Sequence, residues 1–404
     1  LGGSNLLDMG APSVGYLDTA LLITLALIAF AILFGTRHID ATEHQDGLIL
    51  AIAAESLVKL TAFIAIGIFA VVAIGGGPGH LFGKAVRTPA LESVFGHGFN
   101  GGTWLTITFL SAVCIVLIPR QFHVAVVENR SETDVRRAAW LFPLYLLLIN
   151  LFVVPIAALG IMTMPLPSAD PDFYVLTLPM SVDARLMSLV AFIGGLSSAT
   201  AMVIVESVAL AIMICNGLVV PLLLRRRDRA TRDLPDMAAL VLMIRRVAIL
   251  AVLLLGYAFY QALGKSEGLA AIGLISFVAI AQLAPAFFGG LFWRNATSTG
   301  AITAICAGTA VWGYTLMLPW IAKAGWMPSS FVDDGPIGLA IIKPQALFFL
   351  QFEPLTHGVL WSLGVNVVTY ITVSLLRVPE PVERLQAELF IQDELPRVPA
   401  GPAF

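Results

Sequence analysis

From Leu186 to Leu224 the chain carries a single charged residue, Glu206, in 39 positions. As a helix rising ~1.5 Å per residue this run would be ~58 Å long, nearly twice the ~30 Å hydrocarbon core of a bilayer. It must therefore tilt, break or project beyond the membrane. Eight other apolar runs accompany it, giving expected spans at 17–36, 47–75, 101–119, 138–163, 186–224, 240–263, 268–291, 297–322 and 356–376. The runs are continuous rather than alternating, which excludes the strands of a membrane barrel and leaves helices, whose backbone groups are all satisfied internally. With 58% hydrophobic and only 12% charged residues, the chain is far from the composition of a water-soluble domain. The expected fold is an all-α membrane protein of nine transmembrane helices.

The placement of Lys and Arg orients these spans. Sixteen lie on one side: Arg37, Arg120, Arg130, Arg136, Arg137, Arg225, Arg226, Arg227, Arg229, Arg232, Arg245, Arg246, Arg294, Arg377, Arg384 and Arg397. Six lie on the other: Lys84, Arg87, Arg185, Lys265, Lys323 and Lys343. The arginine-rich side is cytoplasmic by the positive-inside rule, which puts the N-terminus outside. No basic patch suggests nucleic acid. Cys114, Cys215 and Cys306 stand far apart in apolar runs, without metal-site spacing, and read as packing residues.

Lys59 is the one cation assigned to neither side; it lies within the span 47–75, four residues after Glu55 in AIAAESLVKLTAF. Glu before Lys at this spacing is the favourable order for an intrahelical pair. A lone charge at mid-membrane costs about 2.5–3.5 kcal/mol on insertion scales, so the two are expected to neutralise each other while facing the bundle. Such a pair either fixes helix rotation or couples a substrate site to an output. Gly194, Gly195, Ser197, Ser198 and Thr200 cluster in the long run, either as a close-packing face or as hydroxyl ligands for a hard cation. At LIPRQFHV, Pro119 ends a helix. There Arg120 either snorkels to the inner interface or belongs to a functional stretch. PGHLFGK lacks the first Gly and the Ser/Thr of a phosphate loop, and the sequons at Asn129 and Asn295 fall on the cytoplasmic side. The outer loops 77–100 and 323–355 are long and mostly uncharged, as short interfacial helices or a lid would be.

Four stretches together resemble the sodium:solute symporter family of proline and glucose symporters. GLFWRNATSTGAITAICAGTAVW is similar to its Phe-Trp-x-x-x-Thr-x-x-Gly-Ala signature, and TEHQDGLIL to its Trp-Thr-Asp-x-x-Gln-Gly segment. RQFHV stands where the family has Gly-Gln-Pro-His, and GGLSSATAMVIVES is similar to its sodium-binding helix. ATEHQDGLILAIAAESLVKL and LIPRQFHVAVVEN look most like members that form the input domain of membrane sensor histidine kinases.

The resemblance implies a thirteen-helix fold built on a five-plus-five inverted repeat, of which this chain would hold the last nine helices and lack the first four. The start LGGSNLLDMG, without an initiator Met or a signal-peptide core, agrees with that expectation. Residues 1–378 would be the symporter-like domain, and 379–404 a cytoplasmic linker towards a following domain. Ser197 and Ser198 would be the sodium ligands, the only metal site expected. Cys114, Ile118, Gln121, Phe122 and His123 would border the substrate pathway, with Phe122 replacing the family's Pro, which argues against proline as substrate. Glu43, at the family's Thr-Asp pair, joins Glu55, Lys59 and Glu206 as coupling charges. The implied function is Na⁺-driven uptake of a small organic solute such as an amino acid, in a bacterial inner membrane. The alternative is solute sensing on behalf of a C-terminally fused kinase. No enzymatic site appears, since no paired catalytic groups are present, and no cofactor is expected besides Na⁺ as coupling ion.

Overall fold

A computed structural model describes residues 18–35, 46–89, 91–92, 100–129, 131–164, 170–227, 237–263, 268–350 and 352–391. It is all-helical over these residues. Seven helices are long and apolar enough to cross a membrane, or eight if Gly101–Leu117 and Pro119–Val127 count as one broken span. The chain is thus a multi-pass membrane protein. The expected count of nine is not reached because the first apolar run forms a helix, Thr19–Gly35, of only 17 residues.

The chain divides into two compact units, Leu1–Phe99 with Pro119–Gln261, and Asn100–Ile118 with Ala262–Phe404. The first holds α1 (Thr19–Gly35), α2 (Asp46–Phe69, followed by a π-turn at Ala70–Ile74) and the short α3 (Pro78–Ala85). Helix α4 (Gly101–Leu117) belongs to the second unit, and the chain returns to the first with α5 (Pro119–Phe122) and a π-turn at His123–Val127. Then come α6 (Glu132–Asn150), α7 (Val153–Thr163), α8 (Tyr174–Ser181), α9 (Arg185–Ile214), a π-turn at Cys215–Val219, α10 (Val220–Arg227) and α11 (Met237–Leu263). The long run that had to tilt, break or project stays helical from Arg185 to Leu223, with the π-turn inside it.

Within this unit α2 lies against α9 at very short range. A Cβ on Gly194 would stand 2.6 Å from the Ala62 Cβ, so only glycine permits this crossing, and Gly67 likewise accommodates the Phe152 ring. Lipid offers no hydrophobic driving force between helices, so close backbone approach through small residues supplies the packing energy. The Gly194 end of the hydroxyl cluster is therefore a packing face.

The second unit contains α4, α12 (Leu269–Ala281), α13 (Ala284–Phe292), α14 (Ser298–Trp312), a π-turn at Gly313–Met317, α15 (Leu318–Lys323), α16 (Ser330–Asp333), α17 (Pro354–Leu376) and α18 (Pro381–Ile391). Its apolar core gathers Leu110, Val113, Leu117, Val278, Ala281, Leu316 and Val359. Between α12 and α13 the helix breaks after Gln282, because Pro285 has no N–H to donate and crowds the preceding turn. Asn366 on α17 repairs the break. Its Nδ2 donates to the Gln282 carbonyl (2.8 Å) and to Oε1 (3.1 Å), while Gln282 Nε2 donates to Ser362 Oγ (3.0 Å). All three side chains are fully buried.

Candidate functional site

Pro119 disfavours helical geometry at the residue before it, and Ile118 accordingly sits at φ −63°, ψ 129°, ending α4. The chain re-enters helix at once, and this interruption sets the direction of Arg120. Its guanidinium turns inward, with the side chain 13% exposed and Nη2 3.6 Å from Glu55 Oε2 on α2. Arg120 also acts on Glu206 of α9, through its charge and through its backbone N–H, which donates to the Glu206 carboxylate. The snorkelling arginine of one sequence reading is instead the hub of a buried cluster. On the other side of Glu55, Lys59 Nζ donates to Oε1 at 3.5 Å, so the expected intrahelical pair is present.

Glu55 is 5% exposed, which makes it an inward-facing carboxylate with two cations and no lipid contact. Its Oε2 has an ion-pair neighbour but no hydrogen bond, so the Arg120 contact is Coulombic. The formal charges of Glu55, Lys59, Arg120 and Glu206 cancel. A balanced group is the arrangement in which charges can be held away from water, since a single uncompensated one there is costly. A second pair lies one turn on, where His123 Nε2 is 3.3 Å from Glu128 Oε1.

The remaining candidates are distributed as follows. Ser197 and Ser198 are half-buried on α9. Thr200 is occupied with its own helix, donating to the Leu196 carbonyl at 2.8 Å. Cys114 and Ile118 fall in the second unit, whereas Gln121, Phe122 and His123 fall in the first and are half-buried. Cys114 is packed away, its Sγ–H directed at the Phe277 carbonyl at 3.5 Å. Glu43 lies outside the described residues. All three cysteines are free, two of them buried as packing residues would be, while Cys306 is exposed. Among the described residues no group of three or more His, Cys, Asp or Glu gathers as a metal site.

The partners of Arg120 escaped the sequence reading. Arg120 was read as snorkelling to the inner interface or as part of a functional stretch, and nothing in its spacing identifies Glu55, 65 positions earlier, as its partner. Arg245, counted with the side-marking arginines, is 4% exposed inside α11. No protein-family model, curated protein or solved structure matches the chain.

Proposed function

We propose that the chain belongs to a sodium-coupled transporter that moves a small organic solute by alternating access, in a bacterial inner membrane with the arginine-rich face in the cytoplasm. The observation that carries this reading is Arg120, set immediately behind a helix break and tied to carboxylates of two other helices. Charges buried in membrane helices are expensive to keep, and interrupted helices beside them are the usual means by which transporters build sites near the membrane centre. In this reading the cluster joins α2, α5 and α9 into one moving body, Gln121, Phe122 and His123 border the solute path, and Ser197 and Ser198 supply hydroxyl ligands to Na⁺. The symporter-like motifs in the sequence support the same assignment.

A second reading, a solute-sensing input domain, is favoured by one contact. Glu383 on α18 accepts hydrogen bonds from the N–H (2.9 Å) and hydroxyl of Ser298 at the start of α14. Movement of that span would pull directly on the segment leading to the C-terminus. The two readings share a bundle and differ in output.

Thermal unfolding of the purified protein in Na⁺ and in K⁺ at equal ionic strength tests the ion. A site filled to 100 times its dissociation constant stabilises by about 2.7 kcal/mol. Ser197→Ala and Ser198→Ala should each shift the Na⁺ half-saturation upward by roughly tens of fold, since a few kcal/mol of ligation are lost. Ser207→Ala, whose hydroxyl donates to its own helix at Ile204, should not shift it. Identical stabilisation by Na⁺ and K⁺ would remove the sodium assignment, and uptake of labelled amino acids into vesicles under a Na⁺ gradient then separates transport from sensing.

A further inference from the structure

Between α16 and α17 the chain does something costly. Phe348 (φ 53°, ψ 32°) and Phe349 (φ 63°) are consecutive non-glycine residues in left-handed geometry. L-residues avoid this conformation because the Cβ crowds the backbone, and bulky ones avoid it most. Strain of this kind persists only where surrounding contacts impose it. Its effect here is to turn both rings outward, leaving Phe348 56% and Phe349 67% exposed, with Leu350 and Phe352 exposed beside them.

The contacts that impose it are with membrane spans. Leu347 N–H donates to His357 Nε2 at 3.2 Å. This fully buried imidazole therefore holds the turn at the residue before the two phenylalanines. The Phe348 ring packs on Trp361, with centroids 5.2 Å apart. Trp361 is seven residues (361 − 354) into α17, or about 10 Å along the helix axis. At 23 residues α17 is ~35 Å long, little more than the ~30 Å hydrocarbon core, so Trp361 lies below the membrane surface. Further along the loop, the Ile342 carbonyl accepts from the Tyr314 hydroxyl, which comes from the π-turn inside another span. Irregular backbone at such depth is tolerated where the protein itself satisfies its polar groups, and these hydrogen bonds do so.

We infer that Phe348 and Phe349 form a membrane-inserted wedge. They anchor the loop before α17 in the acyl and headgroup boundary of the leaflet in which α17 begins, and His357 is the clamp that holds the turn there. The occupant of this apolar surface is lipid, because the turn runs alongside the first turns of a span whose own outward residues, such as Leu360 (52% exposed), continue the same surface. The inference depends on the multi-pass placement alone, so a failed sodium assignment leaves it standing.

The test uses the 404-residue chain with its three cysteines changed to Ala. Phe349→Cys carries a small environment-sensitive fluorophore, Leu350→Cys provides a second label site that keeps both rings, and Asp333→Cys on α16 is the control. Each is reconstituted in phosphatidylethanolamine and phosphatidylglycerol vesicles. Brominated acyl chains should quench the labels at 349 and 350 but not at 333. Aqueous iodide should quench them on the order of tenfold less than at 333, as expected for groups buried ~5–10 Å into the interface. Equal iodide quenching at all three sites without bromolipid quenching would overturn the wedge. Protection of 349 and 350 from both quenchers would overturn it as well, because protein would then cover them. In His357→Leu, iodide quenching at 350 should rise towards the control, and an unchanged value would overturn the clamp.

Discussion

Removing Arg120 should cost far more than removing Lys59, although both cations stand at nearly the same distance from Glu55, 3.6 and 3.5 Å. Two features of the structure separate them. Lys59 pairs within its own helix, and in a membrane the unpacked reference state keeps its helices, so that contact exists before and after packing. Arg120 reaches Glu55 and Glu206 only when α2, α5 and α9 are assembled. Burial points the same way, since the Lys59 side chain is 20% exposed and that of Arg120 13%. Arg120→Ala removes the one cation that meets both carboxylates, leaving Glu206 without it and Glu55 with only the more exposed Lys59, and the expected loss is about 3–5 kcal/mol. Lys59→Ala leaves Arg120 with both carboxylates and should cost about 1 kcal/mol. Glu55→Ala combined with Arg120→Ala leaves Lys59 and Glu206, a balanced pair, so the double variant should be on the order of 2 kcal/mol less destabilised than the two single losses added. Reversible unfolding in lipid bicelles, followed by tryptophan fluorescence, measures all of these. Additivity of Glu55→Ala and Arg120→Ala to within about 0.5 kcal/mol, or equal losses for Lys59→Ala and Arg120→Ala, would refute the tertiary cluster.

Other consequences concern packing, the broken helix and the C-terminal helix. Gly194→Ala should destabilise by about 1–3 kcal/mol through overpacking against Ala62, whereas Gly195→Ala, with open space around it, should be neutral or gain up to about 1 kcal/mol of helix propensity, read by the same unfolding assay. Asn366→Ala strips the Gln282 carbonyl of its donor at the α12–α13 break and should cost about 1–3 kcal/mol, with faster hydrogen exchange confined to the break. The Ser298 hydroxyl, together with the N–H groups of Ser298 and Glu380, holds the Glu383 carboxyl below its ordinary value, against a smaller desolvation effect. A carboxyl depressed on folding contributes stability above its unfolded value of about 4.3 and loses it as pH falls through the folded one. The protection factor of the α18 amides, the intrinsic rate at each pH divided by the observed one, should therefore fall as pH drops through the folded value in the native protein. In Glu383→Gln protection should be low and independent of pH; an acid-dependent loss of protection that persists in this variant would sink the assignment.

The membrane architecture was legible in the sequence because the bilayer imposes its demands locally. A span needs ~20 apolar residues in succession and satisfies its backbone within itself, so runs such as 186–224 and 356–376 announce helices without reference to any other part of the chain. The Glu55–Lys59 pair was equally legible, being one helical turn apart. Proline marked the helix interruption at 119 through its missing donor and the restriction on its predecessor, whereas the break before Pro285 lay inside a run read as one continuous span, 268–291. The partners across those interruptions were not legible. That Asn366 caps the Gln282 carbonyl, that His357 grips the turn at Phe348 and Phe349, and that Arg120 faces inward to Glu55 and Glu206 all depend on which helices meet and at what rotation. Apolar periodicity could not supply that rotation, because in lipid both the outward and the inward faces of these helices are apolar. Only close approaches such as Gly194 against Ala62, and the pairing of scarce polar groups that have no water to turn to, decide it.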